Sequence, residues 1–542
     1  MWTGAVTKKS SSGRGSSGKV ELTGVKRLRE LILNLAVRGK LAHQNPNEEP
    51  AILLAEKIAT ERATLMQAGA IKKSPKLPQI APEEIPFDIP NGWHWVRLGE
   101  LVKKIGSGAT PRGGKNAYVQ SGIPFLRSQN IWNGGLNLQD VAYIPPETHE
   151  RMANTHVFPN DILLNITGAS LGRCTVVPTE LEMANVSQHV TIIRTIDPLN
   201  QSYLHYLILS PYVQSLVWGR QVGMAREGLS KKVLEQFEIP LPPLEEQHRI
   251  VQKVDELMAL CDRLEQQTSD QLEAHETLVD TLLGSLLKPA EGSLTQSENA
   301  TELADNWARL AAHFDTLFTT EQSIDKLRQT ILQLATAGKL VPFQVAPIPL
   351  KNILCFGPRN GFSPKESTYE TGYKVLKLGA TTKGWLDLLE SKNVDIGNSV
   401  PPHLSLEKGD ILIQRGNAAN HVGCNVLLDA DYPNYIYPDL MMKVRVNEEV
   451  TIPSFVALCL SAPGSRQFMW ERMTGTSGTM PKISKKVVEE IPVALPSLEI
   501  QKAVVQKVDE LMGLCDQLKE RLNQASETRC QLAEAVVNQA VP

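Results

Sequence analysis

The stretch LPPLEEQHRIVQKVDELMALCDRLEQQ begins at Leu241 and returns at Leu495 as LPSLEIQKAVVQKVDELMGLCDQLKER. Of 27 aligned positions 17 are identical, and VQKVDELM recurs letter for letter as Val251–Met258 and Val505–Met512. Each copy opens on Leu-Pro, where the missing proline N–H costs nothing because the first amides of a helix are unpaired anyway. Apolar side chains then fall alternately four and three apart. They are Ile250, Val254, Leu257, Cys261 and Leu264, matched by Val504, Val508, Leu511, Cys515 and Leu518. Such a seam is stable in water only against another helix. The chain must therefore supply a partner for each copy.

A second repeat supplies candidates. Residues 21–41 read ELTGVKRLRELILNLAVRGKL, and residues 324–340 read IDKLRQTILQLATAGKL. Both are helical patterns ending on Gly39 or Gly338, glycines suited to the left-handed position just past a helix. Between the helical segments lie two long stretches of short apolar runs broken by Gly, Pro and Asn, a strand-rich texture. Their interiors share little beyond NDILLNITG at 160 and GDILIQRGN at 409, yet both finish on an SKK segment leading into Leu-Pro. A helix is expected over 201–219, and a continuous one over about 301–338.

The expected order is a disordered tail (1–20), an N-terminal repeated helical region (21–75) and a first variable domain (90–243). A central repeated helical region (244–343), a second variable domain (344–497) and a C-terminal repeated helix (498–542) follow. The C-terminal helix lacks a following partner and the N-terminal GKL helix a preceding one, so the two should pack together. The fold class is α+β: two α+β domains separated by long antiparallel coiled-coil helices, with a pseudo-twofold internal repeat.

At 542 residues, several domains are expected. The composition, 42% hydrophobic and 21% charged, is that of an ordinary globular protein. No apolar run is long enough to span a membrane. Seven cysteines without CxxC spacing or neighbouring histidines argue for a reduced, cytoplasmic protein with neither disulfides nor zinc. Net charge is −3, but its distribution matters more. Residues 244–343 hold 8 Lys/Arg against 17 Asp/Glu, whereas 92–240 hold 13 against 11 and 344–497 hold 16 against 15. The acid lies on the helices, which leaves the variable domains free to form local basic patches.

No phosphate-binding loop, Gly-rich nucleotide fingerprint, HExxH or serine nucleophile elbow is found, and no Asn/Asp-Pro-Pro-aromatic run of adenine methyltransferases. Catalytic, metal-binding and cofactor-binding residues are expected to be absent. Instead the variable domains carry loops in which Arg, Lys, Asn and Gln interleave with Gly and an aromatic. The first has Arg112 and Lys115 in ATPRGGKNAY, and Arg127, Gln129 and Asn130 in FLRSQNIWNGG. It also has Arg173 in NITGASLGR, and Arg226, Lys231 and Lys232 in GMAREGLSKK. The second has Arg359, Asn360 and Lys365 in GPRNGFSPK, and Lys383 in LGATTKGW. It continues with Arg415, Asn417 and Asn420 in IQRGNAANH, and Lys482, Lys485 and Lys486 in TGTSGTMPKISKK. Arg can bridge guanine O6 and N7, and Asn or Gln adenine N6 and N7; Lys and glycine amides can hold phosphates. These residues are the candidates for DNA binding.

The pair of GKL helices, GWHWVRLGEL followed by GIPFLRSQNI, and the doubled SKKV…LPPLEEQ helix resemble the specificity subunits of type I restriction–modification systems. The resemblance covers nearly the whole chain after about residue 20. It implies that each variable domain is a target recognition domain reading one half of an asymmetric, bipartite site in double-stranded DNA. The repeated helices would set the spacing, about one helical turn or 34 Å, and dock two modification (methyltransferase) subunits through Val254, Glu256, Leu257, Val508, Glu510 and Leu511. Restriction subunits would complete the complex. S-adenosylmethionine, ATP and Mg would belong to the partners, whose chemistry is adenine-N6 methylation and ATP-dependent cleavage. One departure is LPSLEIQ in the second copy, with Ser497 and Ile500 in place of Pro243 and Glu246, which could make the two docking surfaces unequal. The competing reading is a non-enzymatic scaffold whose variable domains bind proteins.

Overall fold

The computed structural model describes residues 7–8, 20–72, 76–197, 199–220, 228–287, 305, 307–308, 310, 312–397, 400–475 and 480–540. The chain divides into two units, Met1–Ser269 with Ser526–Pro542, and Asp270–Ala525.

In the first unit the GKL helix α1 (Thr23–Val37) buries Val25, Ile32, Leu33 and Ala36. It ends as its glycine requires. Gly39 has φ +66°, its N–H donates to the Ala36 carbonyl at 3.3 Å, and that of Lys40 to the Leu35 carbonyl at 2.9 Å. This closes the last turn with a reversed-glycine motif. Helix α2 (Ala51–Gln67) follows. Within the first domain, helix α3 (Gln201–Leu209) stops at Ser210, whose hydroxyl accepts from the Val213 amide and starts a separate helix, Pro211–Gly219. The single helix expected over 201–219 is therefore two, because Ser-Pro caps and restarts it. The repeat copy is α4 (Leu244–Leu287), 44 residues long.

In the second unit the GKL helix α5 (Glu321–Thr336) ends through the same bonds, Gly338 to Ala335 at 3.3 Å and Lys339 to Leu334 at 2.9 Å. The continuous helix expected over 301–338 is interrupted. A turn at Phe314–Leu317 is followed by Thr320, whose hydroxyl accepts from the Ser323 amide at 3.1 Å and begins α5 afresh. This domain contains helix α6 (Pro453–Ser461), and the second repeat copy is α7 (Leu498–Ala540).

Each GKL helix sits between the start of one long helix and the end of the other. In the first unit Arg29 reaches Asp262 at 2.6 Å and Glu265 at 2.9 Å, while Arg27 reaches Glu534 at 3.0 Å. In the second, Arg328 reaches Asp516, while Lys326 reaches Glu276 at 2.8 Å and Asp280 at 2.7 Å. The C-terminal helix thus packs on the N-terminal GKL helix, and its mirror case is built from the other repeat copies. These exposed pairs contribute under about 1 kcal/mol each. The buried seam, in which Val254 and Cys261 share one core with Ile32 and Leu33, and Val508 and Cys515 another with Leu327 and Ile331, does more, at roughly 1.5–3 kcal/mol per buried aliphatic side chain.

The two domains share a strand order, the first with one more strand in its second sheet. In the first, β1 (His94–Arg97) precedes β2 (Val102–Ser107), β3 (Ile123–Leu126), β4 (Ala142–Ile144) and β5 (His156–Val157). Then come β6 (Ile162–Asn165), β7 (Cys174–Val176), β8 (Ala184–Val186), β9 (Val190–Thr195) and β10 (Glu238–Leu241). One sheet has the order β7-β6-β9-β2 and the other β4-β3-β8-β5, with β1 paired to β10. The second domain has β11 (Pro347–Pro349), β12 (Leu354–Asn360), β13 (Lys374–Leu376), β14 (Ser391–Asn393) and β15 (Ile411–Gln414). It continues with β16 (Asn425–Leu427), β17 (Tyr435–Ile436), β18 (Met441–Val446) and β19 (Pro492–Ala494). Its sheets run β16-β15-β18-β12 and β14-β13-β17, with β11 paired to β19. The DIL of both domains opens the equivalent strands β6 and β15. Asp161 and Asp410, both buried, accept from Arg194 Nε at 2.6 Å and Arg445 Nε at 2.7 Å.

The LPxLExQ motif joins domain to frame. Gln247 and Gln501 are fully buried at the starts of α4 and α7. Gln247 donates to the Pro242 carbonyl at 3.0 Å and accepts from the Asn200 amide at 3.2 Å, which sets α3. Gln501 donates to the Pro496 carbonyl at 2.8 Å and accepts from the Ile452 amide at 3.0 Å, which sets α6. One glutamine in each copy thereby fixes its domain to its long helix.

Candidate nucleic-acid interface

Strand register gathers the candidate loops at one end of each domain. In the first domain Asn165 pairs with Val190 and Ser107 with Thr191, so the end of β6, the start of β9 and the end of β2 lie together. The parallel pair β3–β8 adds the ends at Leu126 and Val186, and a bridge from Thr167 to Gly228 adds the start of the SKK segment. In the second domain the pairs Asn360–Met442 and Gln414–Met441, the parallel pair β13–β17 and the bridges of Lys482 to Gly416 and Thr474 build the same edge.

On the first edge Arg112 and Gln129 are exposed. The Arg173 guanidinium lies 3.9 Å over the ring of Trp132, an indole 45% exposed whose N–H donates to the Gln129 carbonyl at 2.9 Å. The second edge repeats this pairing with other residues. Trp385 is 61% exposed with Lys383 at 6.0 Å from its ring, and Lys383 also pairs with Asp387 at 3.0 Å. Lys365 and Asn420 are exposed there, and Lys482 is half-buried. Lys231, Lys232, Lys485 and Lys486 are exposed in the first turns of short helices capped by Ser230 and Ser484. Lys231 meets Glu235 at 3.4 Å and Lys486 meets Glu490 at 3.8 Å.

Several candidates are engaged otherwise. Asn130 is buried, donating to the Asn137 carbonyl and accepting from the Arg127 amide, each at 2.9 Å. It shapes the turn and presents no edge to a base. Asn417 donates to Gln414 at 2.7 Å and accepts from the Ala418 amide at 2.7 Å, again a turn-forming role. Arg127 and Arg415 are half-buried, donating to the carbonyls of Asp140 at 2.9 Å and Ile483 at 3.3 Å. By contrast, Arg359 is exposed and Asn360 half-buried at the end of β12. Arg226 and the side chain of Lys115 lie outside the described residues.

The edges also hold residues outside those motifs. Gln188 and His189 precede β9; Thr110 donates to Gln188 Oε1 at 3.2 Å, and Thr167 shares a hydrogen with His189 Nδ1 at 2.8 Å. The equivalent turn in the second domain carries Asp439, which accepts from the Ser363 hydroxyl. Gln is suited to adenine and Asp to cytosine N4. The signal for them was the polar turn SQH before an apolar strand.

The helix candidates divide likewise. Val254 and Val508 are buried in the chain's own cores, 0% and 4% exposed, so they hold the GKL helices and cannot meet a partner. Leu257 and Leu511 are half-buried against the same cores. Glu256 and Glu510 are exposed, paired alike with Lys253 at 3.0 Å and Lys507 at 3.1 Å. Glu246 is no surface residue. It is buried, accepting from Trp93 Nε1 at 2.8 Å and Gln44 Nε2 at 2.5 Å, so the exchange to Ile500 changes the interior and not the docking surface. Burial pushes its carboxyl above the usual range. Among the described residues no cluster of three or more His, Cys, Asp or Glu could hold a metal, and no helix is long and apolar enough to cross a membrane.

The sequence profile of the type I restriction modification DNA specificity domain matches residues 90–274 and 359–527, one match on each variable domain with the helix that follows it. The chain belongs to this family. The type I restriction enzyme EcoEI specificity subunit of Escherichia coli is 32% identical over 601 residues, 100% of this chain and 98% of that one. The EcoAI specificity subunit, also of Escherichia coli, is 33% identical over 602 residues, with the same coverage. A chain solved in work on complex assembly and conformational transition of the type I R-M system shares the fold. Its TM-score is 0.54 at 17% identity, over 84% of this chain and 99% of that one. The two variable domains of this specificity subunit are thus its target recognition domains, and their equivalent edges are where unlike residues are displayed.

Proposed function

We propose that this subunit addresses a type I restriction–modification complex to double-stranded DNA, each target recognition domain reading one half of an asymmetric bipartite site. One observation carries the reading. Two domains of like strand order present, at the same edge, different sets of Arg, Lys, Gln, His and Asp around an exposed tryptophan. A shared backbone fixes the approach to the duplex, and the unlike side chains supply two different patterns of base-edge donors and acceptors. The chain itself is non-catalytic. Adenine-N6 methylation with S-adenosylmethionine, and cleavage driven by ATP and Mg, fall to two modification subunits and to restriction subunits, in the cytoplasm. The exposed acidic faces around Glu256 and Glu510 suit protein partners and repel phosphates.

The test is to co-express the chain with its methyltransferase subunit and map adenine methylation across the host genome. A single bipartite motif with a fixed gap is expected. Methylation without sequence preference, or a contiguous motif, would overturn the reading.

A further inference from the structure

The second domain holds a cationic cleft. It has a volume of about 420 Å³, within the range of small-ligand sites, and lies beside edge strand β12, between Phe356 and Arg359 on that strand and the Pro402–Glu407 loop. Lys443 forms its floor. Its side chain is 3% exposed, and its ammonium donates to the Ser405 carbonyl at 2.5 Å and pairs with Asp410 at 3.1 Å. Arg445 occupies the other Asp410 oxygen at 2.7 Å and Glu407 at 2.8 Å. Both carboxylates are therefore engaged. Arg359, exposed at the rim, has no ion pair and no side-chain hydrogen bond among the described residues. Three cations face two anions, leaving one positive charge without a counterion.

His403 lines the same cleft. Burial, and then the fields of Arg359 and Lys443, hold its imidazole below the usual range. The first domain keeps the Arg194–Asp161 pair at this position and sets Lys104 where Phe356 lies. In the matching register Ile192 stands for Lys443 and Gly106 for Arg359, while Phe158 stands for Glu407 and covers Arg194 at 4.5 Å. Lys443 and Arg359 are thus additions to a shared scaffold and not a requirement of the fold. An excess of guanidinium and ammonium around a buried lysine floor matches an oxyanion.

We propose that this cleft binds a phosphate group, from a DNA strand passing the second domain or from a free phosphate ester. The test titrates the full chain with inorganic phosphate at constant ionic strength, following the His403 ring protons by NMR with His403→Asn for assignment. A saturable shift and a raised His403 pKa are expected, with binding about tenfold to a hundredfold weaker in Arg359→Gln, the effect of losing one charge-assisted bond. A short duplex added to the phosphate-loaded chain then separates the sources: it displaces phosphate if the site holds a DNA strand and leaves it bound if the ligand is free. Unmoved His403 signals in the folded wild type, or equal affinity in Arg359→Gln, would overturn the proposal. The phosphate arm needs no DNA reading, so its failure and the failure of the addressing function are told apart.

Discussion

A single exchange, Glu246 for Ile500, shows how the two halves of the frame differ without differing in shape. In the first unit the Trp93 ring packs where a Gly39 side chain would lie, 3.1 Å away, and its N–H needs the buried Glu246 carboxylate. In the second unit the ring against Gly338 is that of Phe343, which has no donor, and the position of Glu246 is taken by Ile500. Donor and acceptor were exchanged together for apolar groups. Glu246→Ile alone should strand a buried indole N–H and cost about 1–3 kcal/mol, much of it recovered when Trp93→Phe is added. Urea melts of the two single variants and the double would give the coupling, and additive costs would refute the pairing. The carboxyl also carries a pH signature. Its folded pKa lies above the ordinary value, so the folded state binds the proton more readily than the unfolded chain does. Stability should therefore fall as pH rises from about 4.5, the ordinary value, through the raised pKa, and this slope should flatten in Glu246→Ile.

The elements show what the sequence discloses and what it hides. The frame is legible because helix seams and GKL caps demand particular letters: Gly39 and Gly338 at φ +66°, and Gln247 and Gln501 in buried hydrogen bonds. The common strand order of the two domains is not. A strand keeps its place through backbone pairing and burial, which many apolar residues satisfy, so only the DIL before Asn165 and Gln414 echoes. The candidate loops come together at one edge as a set, yet individual residues mislead, since Asn favours both base edges and local turns; Asn130 and Asn417 took the turns. It follows which positions can vary. Asn130 belongs to the turn, and Ser128 accepts from the buried Asn165 amide at 2.9 Å. With both retained, and with Asn133, which accepts from the Cys174 amide at 3.1 Å, and Gly135 at φ +134° also kept, replacing Gln129 and Trp132 should leave the domain folded. The methylated motif should then change in one half only. A change in both halves, read from a methylation map, would refute one domain per half-site.

At the scale of the molecule, each long helix contributes to both units, its start serving one domain's frame and its end the other's. Nothing in that arrangement ranks one half above the other, and the exposed face is duplicated as closely as the core. Glu256 and Glu510 carry equivalent lysine pairs, and Leu260 and Leu514 stand equally bare at 45% and 49% exposed. An exposed leucine beside an acidic ridge suits the docking proposed above, and its duplication would give two such positions. Charge reversal should therefore act by count. Each glutamate's exposed pair is worth under about 1 kcal/mol, so Glu256→Lys and Glu510→Lys should unfold nothing. If the partner carries complementary cations, each reversal should detach one methyltransferase subunit, the double variant both, with the melting temperature unchanged. Light scattering on the eluted complexes would show the steps. Two subunits retained in the double variant would place docking elsewhere, and loss of both from a single variant would mean that the two sites are coupled.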